Sequence, residues 1–297
     1  MDGNDILLIV NPIAGKGQSK TALFGVVSEL CAGERAVTVR MTDAAGSAKK
    51  LAEKYGADYG TIACVGGDGT LSEVIAGVML LPREKRPRIG YIPLGTTNDM
   101  ASTFGISRVP EEAARTVLTG TPKSVDVGSL NGEYFGYVAA FGAFTEVSYA
   151  TPQDMKKAFG HLAYVLEGAA SVPNIKPYRV RIEHDGGETE GEFLYGGVTN
   201  SLSLGGLMKL APDAVNLSDG EFELLLVRAP KTPIDLNKAV LGVLTQNYDG
   251  DEVMLLHTKK ARFFFDRPAA WTRDGEAGGE FSEAEVENLC RAVDIIV

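Results

Sequence analysis

The chain has 297 residues, 44% of them apolar and 23% charged, the composition of an ordinary soluble globular protein. That length exceeds a comfortable single core, so two domains are expected. A net charge of −10 makes nucleic acid a poor partner and leaves only local basic patches for anionic surfaces. Three cysteines, Cys31, Cys64 and Cys290, form no close pair and no metal spacing, so they read as buried thiols in a reducing, cytoplasmic setting. The histidines His161, His184 and His257 are scattered, which argues against zinc. Neither a signal peptide nor an apolar run of membrane-spanning length is expected.

Ile6 to Val10 is fully apolar and reads as a buried parallel strand. It feeds a turn, Asn11-Pro12-Ile13-Ala14-Gly15-Lys16-Gly17, and then a helix with an apolar stripe at Ala22, Leu23, Val26, Val27 and Leu30. The turn lacks the Gly-Lys-Ser/Thr ending of a Walker A loop. A strand over 35–41 and a Lys-rich amphipathic helix over 46–55 follow. Thr61 to Val65 is the next buried strand, leading through Gly66-Gly67-Asp68-Gly69-Thr70 into a helix over 71–79. Three glycines permit close backbone approach to a ligand, and free N–H groups at a helix start favour phosphate. Asp68 among them would be repelled by phosphate unless a cation lay between, so Mg2+ is the natural third party. Ile89 to Ile92 is a further strand. After it comes a polar loop, Pro93 to Ala101, where Thr97 or Asn98 would cap the next helix. A helix over 111–118 completes a βα alternation that implies a layered α/β domain.

The texture changes near residue 128. Strands over 134–140, 178–183, 193–198 and 222–227 lack intervening helices, which implies a mainly antiparallel β domain. One long helix, about 155–171, interrupts them, and Lys156 and Lys157 beside it form a candidate docking patch. The acidic candidates come from both halves: Asp68, Asp99 and Asp126 from the first, Asp219 and Asp274-Gly275-Glu276 from the second. Taken singly, Asp-Gly marks a turn. Phosphoryl transfer supplies a reason for convergence, because it needs Mg2+ on the phosphates and a carboxylate for the proton of the attacking hydroxyl.

Asn11-Pro12-Ile13-Ala14-Gly15, Gly66-Gly67-Asp68-Gly69-Thr70, Gly95-Thr96-Thr97-Asn98-Asp99 and Asp274-Gly275-Glu276 occur in this order over nearly the whole chain. In this the chain resembles the bacterial soluble diacylglycerol kinases, lipid kinases related to the sphingosine kinases. The resemblance implies two domains. Residues 1–128 would be an α/β ATP-binding domain like that of NAD kinases and phosphofructokinases. Residues 129–288 would be an antiparallel β-sandwich for the lipid, and residues 289–297 a strand returning to the first domain. It implies an ATP site at Asn11, Pro12, Ile13, Ala14, Gly15, Thr42, Gly67, Asp68, Gly69, Thr70, Leu71, Ser72, Glu73 and Thr96. Glu276 would be the general base and Asp68 would act near the catalytic Mg2+. Asp126 and Asp219 would form a metal-linked network at the domain junction. A structural metal, Mg2+ or Ca2+, would sit on Asp219 and on backbone carbonyls near Asn216 and Glu221. The substrate would be a lipid met at a membrane surface by peripheral contact. No sequence feature sets the oligomeric state, and a homodimer is compatible with it.

The sequence departs from the family pattern at Ser218, where many relatives carry a second acidic residue, and at Thr145, where an Asp is common. The second departure bears on which lipid is bound. Two other readings stay open: a kinase for a soluble substrate such as NAD, and a non-catalytic lipid- or nucleotide-binding regulator.

Overall fold

The computed structural model describes residues 5–32, 35–142, 176–204, 208–211, 215–248 and 250–297. The expected helix over 155–171, with Lys156 and Lys157, and Thr145 lie outside them.

Four strands, β1 (Ile6–Val10), β2 (Val37–Met41), β3 (Thr61–Gly66) and β4 (Arg88–Pro93), pair in parallel in the order β4-β3-β1-β2. β1 and β3 are buried along their whole length, as expected of central strands covered on both faces. Between them run α1 (Gln18–Cys31), α2 (Ser47–Tyr55) and α3 (Asp68–Met79). The chain steps outward from β1 to β2, then back across to β3 and β4. Right-handed crossovers therefore place α1 on one face and α2 and α3 on the other. α2 packs on α3, and α1 packs on α5 (Pro110–Thr119). A short α4 (Asp99–Phe104) follows β4. Because the four strands are parallel, all their outgoing loops open at one sheet edge, where α/β sheets bind ligands.

β5 (Pro122–Leu130) leads out of this layer and turns through Asn131-Gly132 into β6 (Glu133–Phe135). Then come β7 (Val138–Gly142), β8 (Tyr178–His184), β9 (Gly187–Thr199), the short pair β10 (Ser203–Leu204) and β11 (Met208–Lys209), and β12 (Phe222–Arg228). A helix, α6 (Pro233–Thr245), precedes β13 (Val253–Thr258), β14 (Lys260–Arg273) and β15 (Glu276–Ile296). All the ladders within this half are antiparallel.

Four of the ladders close on themselves. β14 pairs with β8 over Ala261–Phe265 and with β7 over Trp271–Arg273, while β9 joins β8 to β7. The change of partner falls at Asp266-Arg267-Pro268, where the β14–β15 register also shifts. Proline has no N–H to give a ladder, so it suits this break. Inside the closure Phe141, Phe263, Phe265 and Trp271 meet edge-on, tilted or stacked, with centroids 4.8 to 6.3 Å apart.

β15 ties the halves together. Its first part pairs with β14, and it runs antiparallel to β5. Ile295 and Ile296 then lie parallel to Ile89 and Gly90 of β4. Val297 and Thr121 exchange both backbone hydrogen bonds, at 2.9 and 3.1 Å. Of the cysteines only Cys64 is buried; Cys31 and Cys290 are exposed, and all three are free. Among the described residues no helix is long and apolar enough to cross a membrane.

Candidate active site

The loops after β1, β3 and β4 are stitched to one another at the sheet edge. The Asn11 amide Nδ2 donates to Thr70 Oγ1 at 3.1 Å, and its Oδ1 accepts from the Ile13 N–H at 3.1 Å. Ala14 O accepts from Ser19 Oγ at 3.3 Å, and Gly15 takes a left-handed φ of 61°. Pro12 lies half-buried between Asn11 and Ile13. Ile13 is 78% exposed, an apolar side chain left open at this edge. Thr42, at the end of β2, donates its N–H to Val10 O at 2.9 Å. Thr96, in the loop after β4, is exposed, whereas Leu71 is fully buried in the core.

Two glycines let the β3 and β4 loops cross. A Cβ on Gly95 would stand 2.6 Å from the Gly67 Cα and 2.6 Å from Asn98 Oδ1. The first neighbour is backbone and cannot yield cheaply. Gly95→Ala should therefore displace the Gly67 turn. The expected destabilisation is about 1–3 kcal/mol, the usual cost of overpacking. Thermal melts of the variant beside wild type check this, and an unchanged melting temperature would show the loops able to part.

Asp68 opens α3, yet its carboxylate reaches across to the next loop. Oδ2 accepts the Asp99 N–H at 2.9 Å and Oδ1 the Met100 N–H at 3.2 Å. The Tyr91 hydroxyl lies 3.4 Å from Oδ1 and 3.3 Å from Asn98 Oδ1. Burial raises the Asp68 pKa, and the two N–H groups pull it back. The N-cap of α4 is thus supplied from α3. Asn98 itself sits in a left-handed conformation, φ 53°, and spends its side chain on Gly95. This corrects the expected local cap from Thr97 or Asn98.

Glu73, one turn further along α3, faces another helix. Its oxygens accept the N–H groups of Gly46 at 2.7 Å and Ala48 at 2.9 Å, capping α2. Ser72 points to the second half of the molecule, where its hydroxyl donates to Asp274 Oδ2. Asp274 and Gly275 form the two-residue turn between β14 and β15, both at positive φ (49° and 84°), the geometry of a type I′ hairpin.

Glu276 follows that turn, and its Oε1 would be 3.4 Å from a Cβ on Gly69. A carboxylate from the second half therefore lies against the glycine turn that opens α3. Glu276 keeps solvent contact, but partial desolvation raises its pKa. The charges of Glu73 and Asp274 push the same way, and Arg273 opposes them. Buried Tyr137 lies near the same carboxylates: burial holds its phenol protonated far above the ordinary range, with Asp274, Asp68, Asp99 and Glu276 adding to the effect.

The other acidic candidates form a separate cluster. Asp126 is fully buried, and its oxygens accept the Gly220 N–H at 2.7 Å and the Arg291 N–H at 2.6 Å. It pins the 216–221 turn to β15, and no hydrogen bond links it to Asp68 or Glu276. Asp219 Oδ1 accepts the Glu221 N–H at 3.0 Å, and Asn216 Oδ1 accepts the Ser218 N–H at 3.2 Å. Glu221 Oε1 stands 4.0 Å from Lys259 Nζ.

Beside this turn three buried oxygens, Glu223 Oε2, Asn200 Oδ1 and Asn288 Oδ1, have no hydrogen-bond partner among the described residues. Burial, with the nearby Asp219 and Asp126 charges, pushes the Glu223 pKa up to about 8. Unpaired buried oxygens are costly unless a cation answers them. An all-oxygen surrounding of this kind fits a hard divalent ion. Among the described residues no group of three acidic, His or Cys side chains is placed to hold a metal ion, so such an ion would depend on backbone carbonyls as well.

Sequence reasoning missed Tyr91, Asp274 as a buried anchor, and Glu223. Tyr91 and Glu223 sit inside strands, where they read as core and alternation. Asp274 was masked by the ordinary turn preference of Asp-Gly.

An α/β layer with glycine turns at its ligand edge, facing a carboxylate held by a β-rich half, defines a two-domain phosphotransferase. Residues 5–130 match the family model described as the diacylglycerol kinase catalytic domain, and residues 137–297 the one described as the YegS C-terminal NAD kinase beta sandwich-like domain. The chain is 32% identical to the diacylglycerol kinase of Bacillus subtilis (strain 168), over 98% of this chain and 95% of that one. It is 34% identical to that of Staphylococcus aureus (strain MRSA252), over 97% and 90%. A crystal structure of a putative diacylglycerol kinase from Bacillus anthracis superposes with a TM-score of 0.83, at 28% identity, over 99% of this chain and 95% of that one. The chain belongs to the diacylglycerol kinase family and is a lipid kinase.

Proposed function

We propose that the protein transfers the γ-phosphoryl group of ATP to a hydroxyl of diacylglycerol or a closely related lipid. The observation that carries this reading is the placement of the Glu276 carboxylate against Gly69, at the start of α3. The N–H groups of the Gly67–Thr70 turn would receive the phosphates. Asn11 to Gly15, Thr42 and Thr96 would line the rest of the nucleotide at the same edge, with exposed Ile13 available to an apolar base face. Glu276 would accept the proton of the lipid hydroxyl as its oxygen bonds to the γ-phosphorus and ADP leaves. Mg2+ would supply charge neutralisation on the phosphates, with Asp68 beside it. A second divalent ion would be held by Asp219 and the carbonyls near Asn216 and Glu221, beside the unpaired Glu223 oxygen. The lipid would be met by peripheral contact with a membrane.

The test is transfer of labelled γ-phosphate from Mg2+-ATP to diacylglycerol, monoacylglycerol, sphingosine, ceramide and undecaprenol in mixed micelles, with NAD as soluble control. A labelled diacylglycerol product is expected. Labelled NAD with no lipid product would move the protein to the soluble-substrate kinases. ATP binding with no transfer to any acceptor would favour a regulator.

A further inference from the structure

Asp274 does more than an Asp-Gly turn requires. A two-residue hairpin turn needs only a residue that tolerates positive φ, and an exposed Asn or Gly meets that need. Here the side chain is 5% exposed and makes no ion pair among the described residues. Burying a carboxylate without a cation is expensive, so its surroundings must answer it with donors. They do. Oδ2 accepts the Gly136 N–H at 2.6 Å and the Ser72 hydroxyl; Oδ1 accepts the N–H groups of Tyr137 at 2.9 Å and Val138 at 3.0 Å. Burial raises the Asp274 pKa, and these four donors, with no acceptor among them, pull it back toward the ionised form. The Asp274 N–H in turn donates to Val138 O at 2.8 Å.

These bonds reach two places at once. Ser72 belongs to the first turns of α3, one residue beyond the Gly67–Leu71 stretch. Gly136 and Tyr137 form the connection between β6 and β7, and Val138 opens β7. The Glu276 carboxylate, by contrast, makes no hydrogen bond among the described residues, so its position depends on the backbone that carries it.

We propose that Asp274 is the positioning residue for Glu276: it clamps the β14–β15 turn both to the phosphate-side helix α3 and to the β6–β7 connection, and so fixes the distance between base and glycine turn. This rests on the reading of Glu276 as the general base. The charged groups facing Glu276 are Glu73 from α3, Arg273 from β14 and Asp274 itself; the neutral Tyr137 phenol faces it from the β6–β7 connection. Removing the Asp274 charge leaves Glu276 with less repulsion, so it should ionise at lower pH.

The experiment is steady-state kinetics of Asp274→Asn across pH, with Glu276→Gln alongside. Asn tolerates the left-handed turn and keeps one acceptor. The expected result is kcat lower by about tenfold to a hundredfold, as misplacement by an ångström costs, with the KM for ATP within about threefold. The acid limb of the kcat profile should also move to lower pH, because one of the charges that raise the Glu276 pKa is gone. A purely structural role would lower the melting temperature or raise the ATP KM and leave the acid limb in place, which overturns the proposal. A wild-type rate and profile overturns it too. Should Asp274→Asn fail to fold, Ser72→Ala decides. It keeps the charge and the backbone contacts, and a kcat several-fold lower at unchanged ATP KM supports the clamp, whereas a wild-type kcat overturns it. Near-normal turnover in Glu276→Gln would remove the base itself. Full loss there, beside a wild-type Asp274→Asn, removes only the positioning role.

Discussion

Glu276→Gln should fold as wild type, bind ATP with wild-type affinity, and turn over about a hundredfold to ten-thousandfold more slowly, the scale of a lost general base. The structural cost is small because the carboxylate keeps solvent contact and makes no hydrogen bond among the described residues. The kinetic cost is large because a Gln amide cannot take the hydroxyl proton. The wild-type profile should carry a matching signature. Partial desolvation, Glu73 and Asp274 raise the Glu276 pKa, so its base form, and the activity, should be present above that raised pKa and fall away as pH drops through it. The acid limb should therefore sit above the pH of an ordinary glutamate, and the residual rate of the Gln variant should lack that limb. A variant that retains both the rate and the limb would move the proton acceptor elsewhere.

How far the sequence alone carries to this site depends on what kind of signal each residue leaves. β1 and β3 are read directly from unbroken apolar runs, and the loops after them from glycines that strands and helices avoid. The closeness of Glu276 to Gly69 has no local signal. The two residues are more than two hundred positions apart, and only the family resemblance put them in one site. Glu73 lies within the expected nucleotide stretch, but its carboxylate is committed to the α2 N-terminus, a contact with a helix whose position the sequence does not give. α6 lies where no helix is expected, although its start carries a local signal. Thr232-Pro233-Ile234-Asp235 has the spacing of a capping box with Pro in the first turn, and Thr232 Oγ1 and the Asp235 carboxylate do exchange backbone hydrogen bonds, at 3.2 and 2.9 Å. The strand expected over 134–140 is two, because Gly136 and Tyr137 turn aside to meet Asp274. Alternation of side chains cannot show that a backbone N–H is wanted by a distant carboxylate.

Asp68→Ala should show two losses that separate by measurement. The first is structural. The Asp99 and Met100 N–H groups at the start of α4 lose their acceptor, and an unanswered backbone donor costs about 1–3 kcal/mol. α4 in turn touches the second half, where Thr103 Oγ1 and Ser201 Oγ stand 3.0 Å apart, so loosening it should reach beyond the nucleotide edge. A lower melting temperature is expected. The second loss is catalytic. On the proposed role of Asp68 beside Mg2+, its removal should lower turnover by about a hundredfold or more. The Mg2+ titration distinguishes the two. If Asp68 serves the metal, the Mg2+ concentration for half-maximal activity should rise by about tenfold, roughly what an altered ligand surrounding costs in affinity. If Asp68 is only the cap of α4, the folded fraction of the variant should require no more Mg2+ than wild type. Its activity loss should then follow its melting curve. Asp68→Asn sharpens the comparison. It keeps one oxygen for the α4 donors but turns an NH2 toward the other, so it should recover part of the stability while the raised Mg2+ requirement persists.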